Sequence, residues 1–244
     1  MTDRVALITG GARGIGRGIG LDLARAGWAV AFCYRTSAEA AAETHAAIEA
    51  AGTRALAVQA DVSDPWAAEG LVRRVETAWG RIDALVNCAG PYHRVDILKE
   101  TPAGWREMFD NNLHPVFYLA RAVAPGMAVR KWGRIVAFAM ATADQLTAQP
   151  NVTAHYIAKA GILVLVRTLA RVLAPHGVTV NAISPGFIDS GSAPKSELDA
   201  MAPRIPAGYV GSIDDAVAAA RFLLSEEARY VTGTNIHVSG GWGI

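Results

Sequence analysis

"VALITGGARGIGRGIG", residues Val5 to Gly20, decides the fold. Val5–Thr9 is a short apolar and β-branched run of the kind that makes a buried strand. Gly10, Gly14 and Gly16 follow directly, with Arg13 and Ile15 between them, and a helical pattern opens behind. Glycines at these places permit a tight turn and let a pyrophosphate reach the backbone. The helix behind offers free N–H groups and partial positive charge. A strand before and a helix after make this a dinucleotide-binding signal rather than an ordinary glycine-rich turn.

The same alternation continues outward along the chain. Further strand-like runs stand at Ala29–Cys33, Arg54–Gln59, Ala84–Asn87, Gly133–Phe138, Val178–Ser184 and Asn235–Val238. Most are apolar on both faces, as buried parallel strands are. Helical patterns lie near residues 14–26, 37–51, 65–79, 104–130, 154–175 and 213–225, and Asp64–Pro65 reads as an N-cap with a first-turn proline. The rhythm predicts an α/β, Rossmann-like doubly wound sheet of seven parallel strands with helices on both faces. The simplest reading is one domain over residues 1–244. Phe187–Ile205 is the least regular stretch and the candidate substrate loop.

Bulk composition narrows the function. The chain has 244 residues, 52% hydrophobic and 18% charged, with a net charge of +1. No basic run or basic-aromatic cluster points to nucleic acid or to an anionic membrane. The two cysteines, Cys33 and Cys88, end apolar runs and read as buried free thiols, not as a disulfide or a zinc site. The chain enters a strand almost at once, which predicts no leader, no membrane span and a cytoplasmic location.

The second strand selects the dinucleotide. A site for NAD places a carboxylate at its end. Here that end reads Tyr34, Arg35, Thr36, and Arg13 lies in the glycine loop. Two arginines and no carboxylate suit a 2′-phosphate, so the expected cofactor is NADP(H).

"TGGARGIG" (Thr9–Gly16), "DV" (Asp61–Val62), "NCAG" (Asn87–Gly90), "NNL" (Asn111–Leu113) and "NAISPGFID" (Asn181–Asp189) occur in order over nearly the whole chain. With these motifs the sequence resembles the short-chain dehydrogenase/reductase family, most of all its 3-oxoacyl-carrier-protein reductases and pteridine reductases. The resemblance implies that Asp61 and Val62 meet the adenine. It implies that Asn87, Ala89 and Gly90 line the ribose, with Cys88 where a second asparagine is usual. Pro185, Gly186 and Ile188 would pass the nicotinamide, and Ser190 would lie near the phosphates.

The family's chemistry uses a tyrosine as proton donor, a lysine four residues later, a serine at the carbonyl and an asparagine in a proton relay. Asn112 fits the relay. Met140 falls at the serine position, and Thr142, thirteen residues before His155, is the candidate substitute. Lys159 keeps the lysine position and would also hold the ribose. The tyrosine position is ambiguous. His155 is four residues before Lys159, and Tyr156 is only three before it. Both spacings share a helix face with the lysine, but adjacent residues point about 100° apart, so in a regular helix only one of the two can face the nicotinamide, and a helix that starts at or after Tyr156 would let the loop bring Tyr156 in.

These features predict an NADP(H)-dependent oxidoreductase that interconverts a ketone and a secondary alcohol through an altered donor site. The substrate is a small molecule or a carrier-bound thioester, bordered by Pro91–Arg94, Asp144–Gln145 and the 187–205 loop. A cofactor-binding but catalytically silent subunit that supports an active paralogue is the alternative. Apolar residues on two faces of the long helices (Phe117, Leu119, Val123; Ile162, Leu165, Leu169) predict a homo-oligomer, with a tetramer expected.

Overall fold

The computed structural model describes residues 4–191 and 194–244. In chain order the strands are β1 (Val5–Thr9), β2 (Ala29–Tyr34), β3 (Ala55–Gln59), β4 (Ala84–Asn87), β5 (Gly133–Phe138), β6 (Val178–Pro185), β7 (Ile188–Asp189), β8 (Gly211–Ser212) and β9 (Asn235–Val238). The main helices are α1 (Gly14–Arg25), α2 (Ala38–Ala50), α3 (Pro65–Trp79), α4 (Pro102–Asn112), α5 (His114–Arg130), α6 (Thr153–Leu173), α7 (Lys195–Met201) and α8 (Ile213–Leu224).

Seven strands form one parallel sheet in the order β3-β2-β1-β4-β5-β6-β9. The order reverses between β1 and β4, which opens a crevice above their carboxyl ends. Side-chain alternation explains the layers. Val5 and Leu7 of β1 join a core with Leu71 of α3, Leu119 of α5 and Ile162 of α6. Ala6 and Ile8 point the other way, into a core with Ile19 of α1, Ile48 of α2 and Val217 of α8. Each fully buried leucine or isoleucine contributes about 1.5–3 kcal/mol, so a strand apolar on both faces is stable only where it now sits, between two helical layers.

The seven strands match the sequence reading to within a residue. Asp64 caps α3 as expected, its side chain accepting from the Trp66 and Ala67 N–H groups. Three expectations change. The helix expected over 104–130 is two helices that break at Leu113, because Pro115 has no N–H to give to the preceding turn. Leu119, Val123 and Ile162 are buried in the chain's own core and leave no surface for a partner. Of the residues expected at a partner face, Phe117 is exposed and Leu165 and Leu169 are partly buried, while Val129, Ile157, Val164 and Val172 of the same helices are exposed as well. The 187–205 stretch carries β7, paired with β8, and α7. Residues 192–193 of that stretch lie outside the described residues. Among the described residues, no helix is long and apolar enough to cross a membrane.

Candidate active site

A cleft of about 640 Å³ lies over the carboxyl ends of β1, β2 and β4. The turn after β1 forms its floor. Gly10 (φ +65°) and Gly14 (φ +58°) adopt the left-handed backbone there, which a side chain resists. A Cβ on Gly16 would sit 2.5 Å from the Gly10 carbonyl oxygen, so the turn closes only with glycine at this place. Arg13 precedes α1 in extended conformation, and α1 opens with free N–H groups facing the cleft. Arg13 and Ile15 also line the space, as do Tyr34, Arg35 and Thr36 at the end of β2, Asp61 and Val62 after β3, Ala89 and Gly90 after β4, and Ser190. Ala12, Ser37, Ala60, Cys88, Asn111 and Phe138 line it too and were not expected. Cys88 and Asn111 stand inside the NCAG and NNL motifs themselves, a signal that could have found them.

At the β2 end, the Arg35 guanidinium donates to Asn111 Oδ1 at 3.1 Å and lies 3.8 Å from an Asp61 oxygen. Asp61 also ties its own turn, accepting from the Ser63 N–H and hydroxyl. Arg35 is thus held beside the cleft by an amide and a carboxylate. Cys33 is buried and Cys88 only half-buried, a departure from the expectation of two buried thiols. Burial pushes the Cys33 thiol up to about 12, so it stays protonated.

The reacting end gathers around Gly90. A Cβ there would lie 2.4 Å from Asn112 Oδ1 and 3.3 Å from Lys159 Nζ. Asn112 is buried at the last turn of α4, and its amide donates to the Pro91 and Met108 carbonyls. Its Oδ1 has no partner, and neither polar atom of buried Asn87 has one. Buried polar atoms left open beside a cleft suit a ligand bearing hydroxyl and amide groups. The residues present therefore fit a nicotinamide dinucleotide. Lys159 is buried and donates to the Phe138 carbonyl at 2.8 Å. Burial lowers its pKa to about 8, with Cys88 pulling the other way.

α6 begins at Thr153, and the Tyr156 N–H bonds the Val152 carbonyl. The helix is therefore regular through both candidate donors. His155 shares a face with Lys159, is 6% exposed, and packs edge-on against Tyr92 with ring centroids 5.1 Å apart. Its Nδ1 is buried with no partner. Burial first, and the Lys159 charge second, push the imidazole down to about 3. Tyr156 points elsewhere. Its hydroxyl donates to the Thr142 carbonyl at 2.9 Å and accepts from the Thr147 N–H at 3.0 Å. Both partners belong to the loop between β5 and α6.

Thr142 has a left-handed backbone (φ +73°), and its hydroxyl is buried without a partner. Its methyl lies where a Cβ of Gly243 would fall. Met140 is half-buried against the core. Pro185, Gly186 and Ile188 leave β6 beside the cleft without lining it. Pro185 O accepts from Ala141, Gly186 N donates to Val238, and Ile188 packs on Gly211.

The sequence matches the family described as Enoyl-(Acyl carrier protein) reductase over residues 10–243. It is 36% identical over 239 residues to the 3-oxoacyl-[acyl-carrier-protein] reductase FabG of Staphylococcus aureus, covering 97% of this chain and 96% of the relative. The chain belongs to the short-chain dehydrogenase/reductase family. A 3-oxoacyl-[acyl-carrier-protein] reductase of Synechocystis is 35% identical over 242 residues, covering 99% of this chain and 97% of that one. Among solved structures, a Sinorhizobium meliloti protein described as a short-chain alcohol dehydrogenase superposes with a TM-score of 0.92 at 34% identity, covering 99% and 97% of the two chains. A double mutant of the Serratia marcescens short-chain dehydrogenase/reductase gives 0.92 at 28% identity, covering 99% and 98%. This short-chain dehydrogenase/reductase chain is thus an oxidoreductase by family, and its sheet order is Rossmann-like.

Proposed function

We propose that residues 1–244 form a single domain that interconverts a ketone and a secondary alcohol with NADP(H), using His155 in place of tyrosine at the substrate oxygen. One observation carries the reading. His155 shares the buried Lys159 face and keeps an open ring nitrogen, while the Tyr156 hydroxyl is spent on the Thr142–Thr147 loop. The Gly10–Gly16 backbone and the α1 N-terminus would hold the pyrophosphate. Arg13 and Arg35 would hold the 2′-phosphate, and Asn87 and Lys159 the ribose. Bound NADP(H) supplies or accepts the hydride.

His155 exchanges the proton at the substrate oxygen. Its imidazole is neutral at pH 7, since burial and Lys159 hold it near 3. It therefore serves as a base for alcohol oxidation, and reduction is expected to speed up as the pH falls. Lys159 raises the field around the developing oxyanion, and Asn112 holds the relay. The substrate is a free ketone or a carrier-bound thioester, by likeness to the 3-oxoacyl-carrier-protein reductases. A cytoplasmic homo-oligomer, as a tetramer, goes with the same likeness.

The test is NADPH oxidation against a panel of ketones and keto-thioesters, with His155→Gln and Tyr156→Phe side by side. Loss in the first and retention in the second supports the reading. A second reading rests on the same neutral histidine, which is a poor acid. The chain would then bind NADP(H) as a silent subunit beside an active paralogue, and it would show cofactor binding with no turnover alone.

A further inference from the structure

We propose that Asn111 is a positioning residue for cofactor choice, whose side-chain oxygen presets the Arg35 guanidinium for a 2′-phosphate without cancelling its charge. The proposal rests on the reading of Arg35 as part of a 2′-phosphate site, and it names the residue that orients that arginine. Arg35, Asp61 and Asn111 all line the cleft. They come from the end of β2, the turn after β3 and the last turn of α4. The bond from Arg35 to Asn111 joins residues 76 positions apart in the chain.

Both ends of that bond are anchored. The Arg35 carbonyl accepts from Gln59 Nε2 at 3.0 Å, which ties down the backbone that carries the guanidinium. Asn111 Nδ2 donates at 2.9 Å to the Glu107 carbonyl, one turn back in α4. That fixes the amide so that Oδ1 is the atom offered to Arg35, and it accepts from Nη1 at 3.1 Å. Asn112, the next residue, points about 100° away around the helix. Its amide is spent on the Pro91 and Met108 carbonyls. A change at Asn111 therefore removes no hydrogen bond from the reacting end.

Charge decides what the bond is for. Asp61 lies 3.8 Å from the same Nη1, too far for a hydrogen bond, and its carboxylate is tied to the Ser63 N–H and hydroxyl. An arginine closed onto Asp61 would present a neutral pair to the cleft. One held by a neutral amide keeps its positive charge for an anion. The amide also lowers the cost of gripping a ligand. The Arg35 side chain is 55% exposed, and a long side chain loses rotamer freedom when it takes hold; a bond already made limits that loss. The bond occupies Nη1, and the Nε–Nη2 edge is the one that grips a phosphate side-on.

Calorimetric titration with NADP⁺ and NAD⁺, which differ only in the 2′-phosphate, tests this. Asn111→Ala should weaken NADP⁺ by about fivefold and leave NAD⁺ within about twofold. Asn111→Asp keeps an acceptor but adds a charge, so it should weaken NADP⁺ at least as much. With Arg35→Ala already in place, neither change should move NADP⁺ by more than about twofold. An NADP⁺ affinity unmoved by Asn111→Ala overturns the proposal. So does equal weakening of both dinucleotides, which would mark Asn111 as a support of α4 alone. Native NADP⁺ affinity in Asn111→Asp, or a loss that persists without the arginine, overturns it too. The 2′-phosphate reading fails by a different pattern. There the native protein takes NAD⁺ as tightly as NADP⁺, or Arg35→Ala leaves the preference intact, and the role of Asn111 falls with it. A preference erased by Arg35→Ala but untouched by Asn111→Ala keeps that reading and removes only the positioning role.

Discussion

Tyr156→Phe is the most informative single change. It removes one oxygen and nothing else. That oxygen donates to the Thr142 carbonyl and accepts from the Thr147 N–H, and the tyrosine is 5% exposed. Two loop groups lose their partner, at about 1 kcal/mol each. The expected loss of stability is about 2 kcal/mol, read by urea denaturation at constant m-value. In a chain of this size that lowers Tm by roughly 4–8 °C. Turnover measured well below the new Tm should stay within about fivefold, because the hydroxyl faces the loop. A catalytic proton donor would behave oppositely, with a loss of about 10²–10⁴ in rate and little change in Tm. An activity collapse with an unmoved Tm would refute the assignment of Tyr156 to the loop.

Further outcomes follow from the same geometry. NADPH should bind at least about tenfold more tightly than NADH, and Arg35→Ala should erase most of the difference; equal binding in the native protein counts against the arginine reading. Gly90→Ala should abolish turnover and weaken cofactor binding, since its methyl lands on Asn112 Oδ1 and crowds Lys159; native kinetics in that variant would show that the cluster yields easily. His155 has a folded pKa of about 3, below its ordinary 6.5, so the unfolded chain binds its proton first. Stability should therefore fall as the pH drops from about 6.5 towards 3, and His155→Gln should flatten that slope in urea midpoints taken across the window. His155→Tyr with Met140→Ser should raise ketone reduction by at least about a hundredfold; no change would favour the silent-subunit reading.

The sheet was legible because each of its seven strands is an apolar run bounded by turn residues. β7 and β8 were not, since two-residue strands carry no period. The α4–α5 break was written in Pro115, but apolar spacing ran across it and masked it. The cofactor turn was readable from three glycines in a fixed context. The donor was not. Which way residues 155 and 156 face depends on where α6 starts, and on hydrogen bonds to loop residues 9 and 14 positions earlier in the chain. Spacing alone holds neither fact. Thr142 had the right separation from His155, but spacing does not show that the loop gives it a left-handed backbone and sets its methyl against Gly243.

The break at Leu113 also separates two rates of opening. Pro115 leaves the Asn111 carbonyl without the helical donor it would otherwise have, so α4 and α5 share no hydrogen-bonded turn at the join. α5 is locked into the core by Leu119, Val123 and Met127. α4 buries only Met108 and Asn112, and its last turn reaches the cleft through Asn111. The two helices should therefore exchange amide hydrogens as separate cooperative units, with α4 the faster. Dinucleotide in the cleft should slow the end of α4 and leave α5 at its unliganded rate. The proline thus acts as an insulator that confines the response to ligand to the helix that touches it.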